Sequence, residues 1–276
     1  MTGGTGFVGQ HMQQQFGPST SLFAPTSAQM DVRDPESVKK AFRGFLPNLC
    51  IHLAAQASQR RARDQPEQTH LTNVQGTANV LEAAGSNCRV VLFSSCHVYG
   101  APQSLPISES HPRNGTGAYA QSKIAAEHHV RGCVDRDWIL LRLFNLTGPG
   151  QSSHFAASDW AHQWARGSER IRTGDLTLRR DYLDVRDACV AIQTLAERSV
   201  SSQITNVCSG EAVALSDVFK WAAPGAIAVS DPSRIRAGEP KEIRGCSEAI
   251  RSMDWKPEIS ISESLSQLRA QLSVQS

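Results

Sequence analysis

The chain has 276 residues, 40% of them apolar, and a formal net charge of +2. This length supports one large α/β domain, or one domain with a smaller lobe. The balanced charge gives no reason to expect a nucleic-acid or membrane partner, and no apolar run could span a bilayer. The seven cysteines include no CxxC pair, and the N-terminus lacks the layout of a signal peptide. We therefore expect a cytoplasmic protein with reduced thiols and no metal site.

A glycine-rich segment opens the sequence, with Gly3, Gly6 and Gly9 in a G-x-x-G-x-x-G spacing. Such a loop makes a tight turn, lets the backbone approach a pyrophosphate, and leads into a helix whose free N–H groups face the phosphates. Taken alone, the segment is also compatible with an ordinary glycine-rich turn. The spacing predicts a dinucleotide-binding site if later motifs agree with it.

The start of the sequence departs from this pattern. A strand normally precedes the loop and is central in the sheet, but here Met1 directly precedes Thr2 and Gly3. We therefore expect the first strand to be missing and suspect an incomplete N-terminus. The second strand is predicted to end near 21–27, where no acidic residue would bind a ribose 2′-hydroxyl and no arginine a 2′-phosphate. We expect NADP(H) or NAD(H), with a preference for NADPH.

The elements that follow alternate between strands and helices. Three short, β-rich apolar runs, at 49–55, 89–95 and 138–144, predict buried parallel strands. This alternation predicts an α/β fold with a Rossmann-type doubly wound parallel sheet. The predicted helices cover 35–44, 66–84, 117–133, 187–197, 215–223 and 261–272.

The pattern becomes irregular after residue 146. We expect a dinucleotide-binding domain over 1–146, to which part of 181–206 returns. Residues 147–276 are then expected to form mainly a smaller C-terminal lobe that binds substrate.

Serine, tyrosine and lysine side chains form the main chemical signal. The run 89–95 ends in serines, and Tyr119 and Lys123 lie one helical turn apart on one face. A nearby ammonium lowers the pKa of a phenol, so Tyr119 could exchange a proton while hydride moves to or from a nicotinamide. A serine hydroxyl would hydrogen-bond the reacting oxygen. The alternatives are a plain strand end and a surface helix pair.

Further motifs follow the glycine loop in a recognisable order. They are "MDVRD", "HLAAQAS", "NVQGT", "SSCHVYG", "YAQSK" and "RLFNLTGPGQ". Over nearly the whole chain, this order resembles that of extended short-chain dehydrogenases/reductases, a superfamily of nucleotide-sugar epimerases and dehydratases. The later segments "RRDYLDVRDACVAI" and "DPSRIRAGEPKEIRGCSEAI" look most like GDP-6-deoxy-4-keto-D-mannose reductases, which make GDP-D-rhamnose. The resemblance implies a nucleotide-diphosphate sugar as substrate and a homodimer.

The resemblance also implies roles for single residues. Ser95 would be the catalytic hydroxyl, Tyr119 the acid/base, and Lys123 its partner and a ligand of the nicotinamide ribose. Asn73 matches a helix asparagine that braces the site, although a helix cap or an interior hydrogen bond would also explain it. The implied cofactor-binding residues are Gly3, Gly6, Phe7, Val8, Gly9, Asp31, Val32, Leu53, Ala54, Ala55, Tyr119 and Lys123.

Three residues are implied to hold the diphosphate of the nucleotide sugar. They are Asn145, Arg180 and Arg236, with Arg234 competing for the alignment of Arg236. The alternatives are that Arg180 forms a surface ion pair with a nearby acid such as Asp181, and that Arg236 is a solvated charge.

Two residues after Ser95 bear on the type of reaction. A 4,6-dehydratase of the superfamily has acidic residues there, because it must remove the C5 proton and expel the C6 hydroxyl. Cys96 and His97 are poor substitutes for a carboxylate pair, and this favours a 4-keto-sugar reductase. An epimerase needs only the serine, tyrosine and lysine, and a non-catalytic sensor of nucleotide sugars or dinucleotides is the third hypothesis. His52, on an apolar strand, is expected to be a core histidine.

Overall fold

Strands and helices alternate along the chain in the structure, a computed structural model that describes residues 1–16, 20–198, 202–236 and 238–274. The helices are α1 (Phe7–Gln15), α2 (Pro35–Phe45), α3 (Gln59–Asp64), α4 (Pro66–His70), α5 (Gly76–Ala84), α6 (Gly117–Arg131), α7 (Ala156–Ala165), α8 (Val185–Glu197), α9 (Leu215–Ala222), α10 (Glu248–Arg251) and α11 (Ile261–Val274). The strands are β1 (Leu49–His52), β2 (Arg89–Ser95), β3 (Trp138–Leu143), β4 (Asn145–Thr147), β5 (Arg170–Thr173), β6 (Arg179–Asp184), β7 (Gln203–Val207), β8 (Ala212–Ala214), β9 (Ile227–Ser230) and β10 (Glu242–Ile243).

The chain divides into two units by its internal contacts. Unit 1 comprises Met1–Gly100, Glu109–Leu143 and Cys189–Asn206, and unit 2 comprises Ala101–Ser108, Phe144–Ala188 and Val207–Ser276.

Unit 1 is built on a four-stranded sheet in the order β1-β2-β3-β7. The pairs β1/β2 and β2/β3 are parallel, and Ser94 of β2 lies opposite Arg142 of β3. Parallel strands joined through helices confirm the predicted Rossmann-type α/β class. One hydrophobic core packs α2, α5 and α6 against the sheet, with Val38, Val80 and Val130 fully buried.

Local sequence signals explain where α2 begins and ends. The Asp34 side chain accepts a hydrogen bond from the backbone N–H of Glu36 at 3.0 Å, and Pro35 occupies the first helical position. The helix ends where Leu46 adopts a left-handed conformation with φ of 52°. The predicted helix at 35–44 is therefore confirmed.

The N-terminal region carries no strand before α1 in the described residues. Thr2 forms an isolated parallel bridge with His52, and the Met1 amino group donates a hydrogen bond to the Phe23 carbonyl at 2.7 Å. The second strand predicted near 21–27 is wrong, because residues 21–26 have no regular structure. Backbone in the extended range becomes a strand only when a neighbouring strand completes the ladder. The described part of the chain places none beside this segment.

The helix predicted over 66–84 is broken in the structure. A π-helical turn, Leu71–Gln75, separates α4 from α5. The Thr77 hydroxyl donates to the Asn73 carbonyl at 2.6 Å within this stretch. Such π-helical turns within α-helices are frequent at functional sites.

Unit 2 contains a sheet in the order β10-β6-β4, with β8 antiparallel to β6, and a separate parallel pair of β5 and β9. Helices α7, α9 and α11 enclose its core, which includes Trp160, Phe219 and Leu268. Helices α9 and α11 confirm the helices predicted at 215–223 and 261–272. Within the described residues, every helix is too short or too polar to cross a membrane.

Candidate active site

The glycine loop at the start of unit 1 has a geometry that requires glycine. Gly3 has φ of +69°, and a Cβ there would lie 2.6 Å from the backbone nitrogen of Ala54. Gly6 is the N-cap of α1, and a Cβ at Gly9 would collide with the backbone of the loop. The loop therefore leads tightly into a helix N-terminus, where free N–H groups favour an anion.

The residues after β1 are tied to this loop. Thr2 accepts a hydrogen bond at its carbonyl from the Leu53 N–H at 3.2 Å, and at its hydroxyl from the Ala54 N–H at 3.1 Å. These two hydrogen bonds join the loop to the end of β1. The other residues predicted to bind cofactor here are placed in the first turn of α1 (Phe7 and Val8) and directly after Ala54 (Ala55).

Asp31 and Val32 follow the segment at 21–27 in the chain. The Arg33 guanidinium pairs with the Asp31 carboxylate at 2.6 Å and holds its pKa below the usual range. The Asn79 side chain of α5 donates to the Val32 carbonyl at 2.8 Å. Asp31 is thus held by its neighbour Arg33, and Val32 by a side chain of α5, at the positions where the resemblance implies an adenine.

The structure brings Ser95, Tyr119 and Lys123 together. Ser95 ends β2 and hydrogen-bonds the Tyr119 phenol of α6. Lys123, one turn further along α6, donates from Nζ to the Phe93 carbonyl of β2 at 2.7 Å. All three predicted catalytic residues are buried, so the interpretation of Tyr119 and Lys123 as a surface pair is wrong.

The protonation of this group differs from the prediction made from spacing. Burial raises the pKa of Tyr119 to about 12, and the hydrogen bond from Ser95 opposes this rise only partly. The predicted lowering by Lys123 is wrong, because desolvation of the phenolate dominates. Burial also lowers the pKa of Lys123 to about 8. At neutral pH the phenol therefore keeps its proton and can act as an acid.

Asn73 connects three segments around this group. Its side-chain amide donates to the Gln56 carbonyl at 3.0 Å and to the Ser122 hydroxyl at 2.9 Å, and its oxygen accepts from the Gln56 N–H at 2.7 Å. Ser122 in turn donates to the Tyr119 carbonyl at 2.8 Å. The side chain thus makes interior hydrogen bonds rather than capping a helix, and it links the end of β1 to α6.

His97 and His52 have different environments. The His97 ring packs edge-on against Tyr119 at 5.8 Å between centroids, and its Nε2 lies 2.6 Å from Nε2 of Gln59. Cys96 is buried. Both ring nitrogens of His52 have hydroxyl partners within the core, and burial lowers its pKa to about 3. The prediction of a core histidine at position 52 is confirmed.

The residues predicted to bind the diphosphate lie in unit 2. Asn145 of β4 donates from its amide to the Asp181 carbonyl at 2.9 Å. Arg180 of β6 is buried, and its Nη2 pairs with Glu239 at 2.7 Å. The alternative of a surface pair with Asp181 is therefore wrong. Arg236 is exposed, and its carbonyl accepts from the Glu239 N–H at 3.3 Å, so its segment also supplies the partner of Arg180.

Three buried ionisable side chains, Asp181, Glu127 and Arg142, were not predicted from the sequence. Asp181 accepts three backbone N–H bonds and one from the Ser209 hydroxyl, yet burial raises its pKa to about 6. Glu127 of α6 pairs with Arg142 of β3 at 2.8 Å, with both side chains almost completely buried. An arginine inside the apolar run "WILLRLF" and a glutamate one turn after Lys123 were the available signals. Within the described ranges, no cluster of three His, Cys, Asp or Glu side chains could hold a metal.

The glycine loop and the Ser–Tyr–Lys group define the class: a Rossmann-type enzyme of the short-chain dehydrogenase/reductase kind, an NAD(P)-dependent oxidoreductase. The chain belongs to the NAD dependent epimerase/dehydratase family, whose model matches residues 1–208.

Individual relatives are reductases as well as epimerases. The GDP-6-deoxy-D-mannose reductase of Pseudomonas aeruginosa is 34% identical over 96% of this chain and 93% of that protein. The structure of RMD from Pseudomonas aeruginosa complexed with NADPH has a TM-score of 0.89 at 30% identity, covering 99% of this chain and 98% of that chain. The UDP-glucose 4-epimerase of Thermus thermophilus in complex with NAD has a TM-score of 0.85 at 26% identity, covering 98% of this chain and 97% of that chain.

Proposed function

We propose that this protein uses NAD(P)H to reduce GDP-4-keto-6-deoxy-D-mannose to GDP-D-rhamnose. The observation that carries the proposal is the buried Ser95–Tyr119–Lys123 group, in which burial keeps the phenol protonated and ready to donate. The similarity to a GDP-6-deoxy-D-mannose reductase supports the choice of sugar and nucleotide.

The glycine loop fits a dinucleotide. The 2.6 Å between a Cβ at Gly3 and the Ala54 nitrogen shows that only glycine permits this close approach. When bound, the reduced nicotinamide supplies a hydride and is itself oxidised. We assign cofactor binding to Gly3, Gly6, Phe7, Val8, Gly9, Asp31, Val32, Leu53, Ala54, Ala55, Tyr119 and Lys123, and the NADPH-bound structure of a relative supports a preference for NADPH.

Tyr119 is the proton donor in this proposal. As the C4 carbonyl carbon gains hydride, the phenol gives its proton to the carbonyl oxygen, so a ketone becomes an alcohol. Ser95 donates a hydrogen bond to the same oxygen. The Lys123 ammonium stabilises the phenolate that remains until solvent returns the proton.

Asn145, Arg180 and Arg236 are proposed to hold the diphosphate. A guanidinium binds phosphate bidentately, and Arg180 is already oriented by its ion pair with Glu239. A diphosphate at Arg180 would therefore compete with the Glu239 carboxylate. In terms of domains, we propose that 1–146, with part of 181–206, holds the cofactor and that 147–276 mainly holds the nucleotide sugar.

An epimerase of the same family is the second candidate, because Ser95, Tyr119 and Lys123 suffice for it and a UDP-glucose 4-epimerase has a similar fold. A dehydratase is less well supported, since Cys96 and His97 stand where it needs carboxylates. The buried catalytic group also disfavours a non-catalytic binding protein.

Location in the cytoplasm and assembly as a homodimer are further proposals. The seven cysteines lie in the described residues, and none forms a disulfide, which suits a reducing compartment. Light scattering on the purified protein tests the dimer, which would have twice the 30.0 kDa mass of the chain.

The deciding experiment supplies GDP-4-keto-6-deoxy-mannose with NADPH or NADH and follows nicotinamide absorbance and the sugar products. A reductase oxidises one equivalent of cofactor for each alcohol formed. Interconversion of sugars without net cofactor oxidation would contradict the proposal and support an epimerase. Binding without any reaction would support the non-catalytic alternative.

A further inference from the structure

A buried ion pair lies next to the catalytic group in unit 1. Glu127 of α6 accepts hydrogen bonds from Arg142 Nε at 2.9 Å and Nη2 at 2.8 Å. Both side chains are removed from solvent. A buried ion pair often contributes no more stability than a well-packed apolar pair of similar size. Such a pair therefore need not be present for stability.

The ion pair connects the strand end of Ser95 to the helix of Tyr119. The Ser94 hydroxyl donates to Glu127 Oε1 at 2.6 Å, and Ser95 hydrogen-bonds the Tyr119 phenol. Arg142 lies opposite Ser94 in the β2/β3 pairing. Consecutive serines at the end of β2 are thus both bonded to α6, and the carboxylate of Glu127 fixes the first of them.

Glu127 also lies one helical turn from Lys123. Side chains at this spacing are neighbours, so the carboxylate favours the lysine's charged form. Tyr119 on the same helix and His52 of β1, which is neutral, also lie near Lys123. Arg142 of β3 and Arg113 each form an ion pair with the Glu127 carboxylate, at 2.8 and 3.3 Å. Arg113 precedes α6 in the chain.

We propose that Glu127 is a positioning residue for the catalytic group. Through Ser94 it holds the strand end of Ser95 against α6, and its negative charge, fixed by Arg142, favours the ammonium form of Lys123. The effect of Glu127 on turnover rests on the function proposed above. Its effect on the protonation of Lys123 can be measured without turnover.

The first part of the proposal, that Glu127 favours the ammonium form of Lys123, is tested by titrating Lys123 directly. The full chain is labelled with ¹³C at the lysine Cε and followed by NMR over pH, with the Lys123 signal assigned by its loss in Lys123→Arg. We expect Glu127→Gln to lower the Lys123 midpoint by about one pH unit or more. Val130→Ala is the matched control, because it removes buried volume from the same helix without changing charge. Equal midpoints in wild type and Glu127→Gln would overturn this part.

A second variant covers the case in which Glu127→Gln does not fold. The double variant Glu127→Met/Arg142→Met replaces the ion pair by apolar side chains, an exchange that proteins commonly tolerate. It is expected to fold and to lower the Lys123 midpoint by less than Glu127→Gln does, because the Arg142 cation is removed together with the carboxylate. The comparison is the single variant Arg142→Met, which keeps the carboxylate; a Lys123 midpoint no lower in the double variant than in Arg142→Met would contradict the proposal.

The second part, that Glu127 holds the strand end of Ser95 through Ser94, is tested with Ser94→Ala. This variant removes the hydrogen bond from Ser94 to Glu127 and keeps the Glu127 carboxylate. We expect kcat to fall about tenfold while the Lys123 midpoint stays in place. An unchanged kcat would overturn this part. Wild-type protein that is inactive on the keto sugar would refute the proposed function instead, and the titration would still decide the role of Glu127.

Discussion

Lys123 donates a hydrogen bond to the carbonyl oxygen of Phe93 at 2.7 Å, which places a charged ammonium beneath the strand that ends in Ser95. The lysine is almost fully buried, and desolvation lowers its pKa from 10.5 to about 8. The native state therefore releases this proton at a lower pH than the unfolded chain does.

The first prediction is that Lys123 makes stability depend on pH between about 8 and 10.5. In this window the unfolded chain binds a proton that the native state lacks, so the free energy of unfolding rises with pH. The rise is about 3 kcal/mol in total. Below pH 8, Lys123 is charged in both the native and the unfolded state, so the native state carries the full cost of burying the ammonium. Denaturant unfolding of wild type and Lys123→Met at several pH values gives the difference, and a constant difference across the window would contradict the assignment.

Gly3→Ala is predicted to weaken NADPH binding, and Gly85→Ala is its matched control. Both glycines have positive φ, +69° and +63°, so each substitution costs about 1 kcal/mol or more in backbone strain. Only the Cβ at position 3 meets other atoms, at 2.6 Å from the Ala54 nitrogen. We expect NADPH affinity, measured by fluorescence titration, to fall at least about tenfold in Gly3→Ala and to be unchanged in Gly85→Ala. Equal NADPH affinities in both variants would show that the glycine loop is not part of the cofactor site.

Arg180→Ala is predicted to raise KM for the nucleotide sugar by about tenfold or more, because a charge-assisted hydrogen bond to phosphate is lost. NADPH affinity is expected to stay the same. Arg179→Ala is the control, since the neighbouring side chain is half exposed and pairs with Glu242. A fall in NADPH affinity without a change in KM for the nucleotide sugar would show that Arg180 binds the cofactor and not the sugar diphosphate.

The protein is predicted not to dehydrate GDP-mannose. With oxidised cofactor supplied, no 4-keto-6-deoxy product is expected, because Cys96 and His97 provide no carboxylate to remove the C5 proton. Mass spectrometry of the nucleotide sugar after long incubation is the measurement. Accumulation of the keto product would show that these two residues do not exclude dehydration.

Much of this fold could be predicted because its elements carry local signals. The strand predicted at 89–95 is observed at Arg89–Ser95, and the helix at 117–133 at Gly117–Arg131. Apolar runs and one-turn spacing were enough to place Tyr119 and Lys123 on one helix face. Non-local effects were harder to foresee. The protonated state of Tyr119 depends on burial by the whole fold, so the predicted pKa shift had the wrong direction.

Long-range pairing explains the remaining differences. Glu239 lies far from Arg180 in the sequence, and only the folded chain brings its carboxylate to the guanidinium. Likewise, Glu127 meets Arg142 because α6 packs over the strands of unit 1. Spacing within one element gives no information about such partners.

Tyr119→Phe decides whether Tyr119 is the proton donor of a keto-sugar reductase. Turnover of GDP-4-keto-6-deoxy-mannose with NADPH is measured for wild type and variant, together with NADPH affinity. We expect turnover to fall about 10²–10⁴-fold while NADPH affinity is largely retained, because only the phenolic hydroxyl is lost. A loss of turnover of about threefold or less, far smaller than that range, would contradict the role of Tyr119 as proton donor.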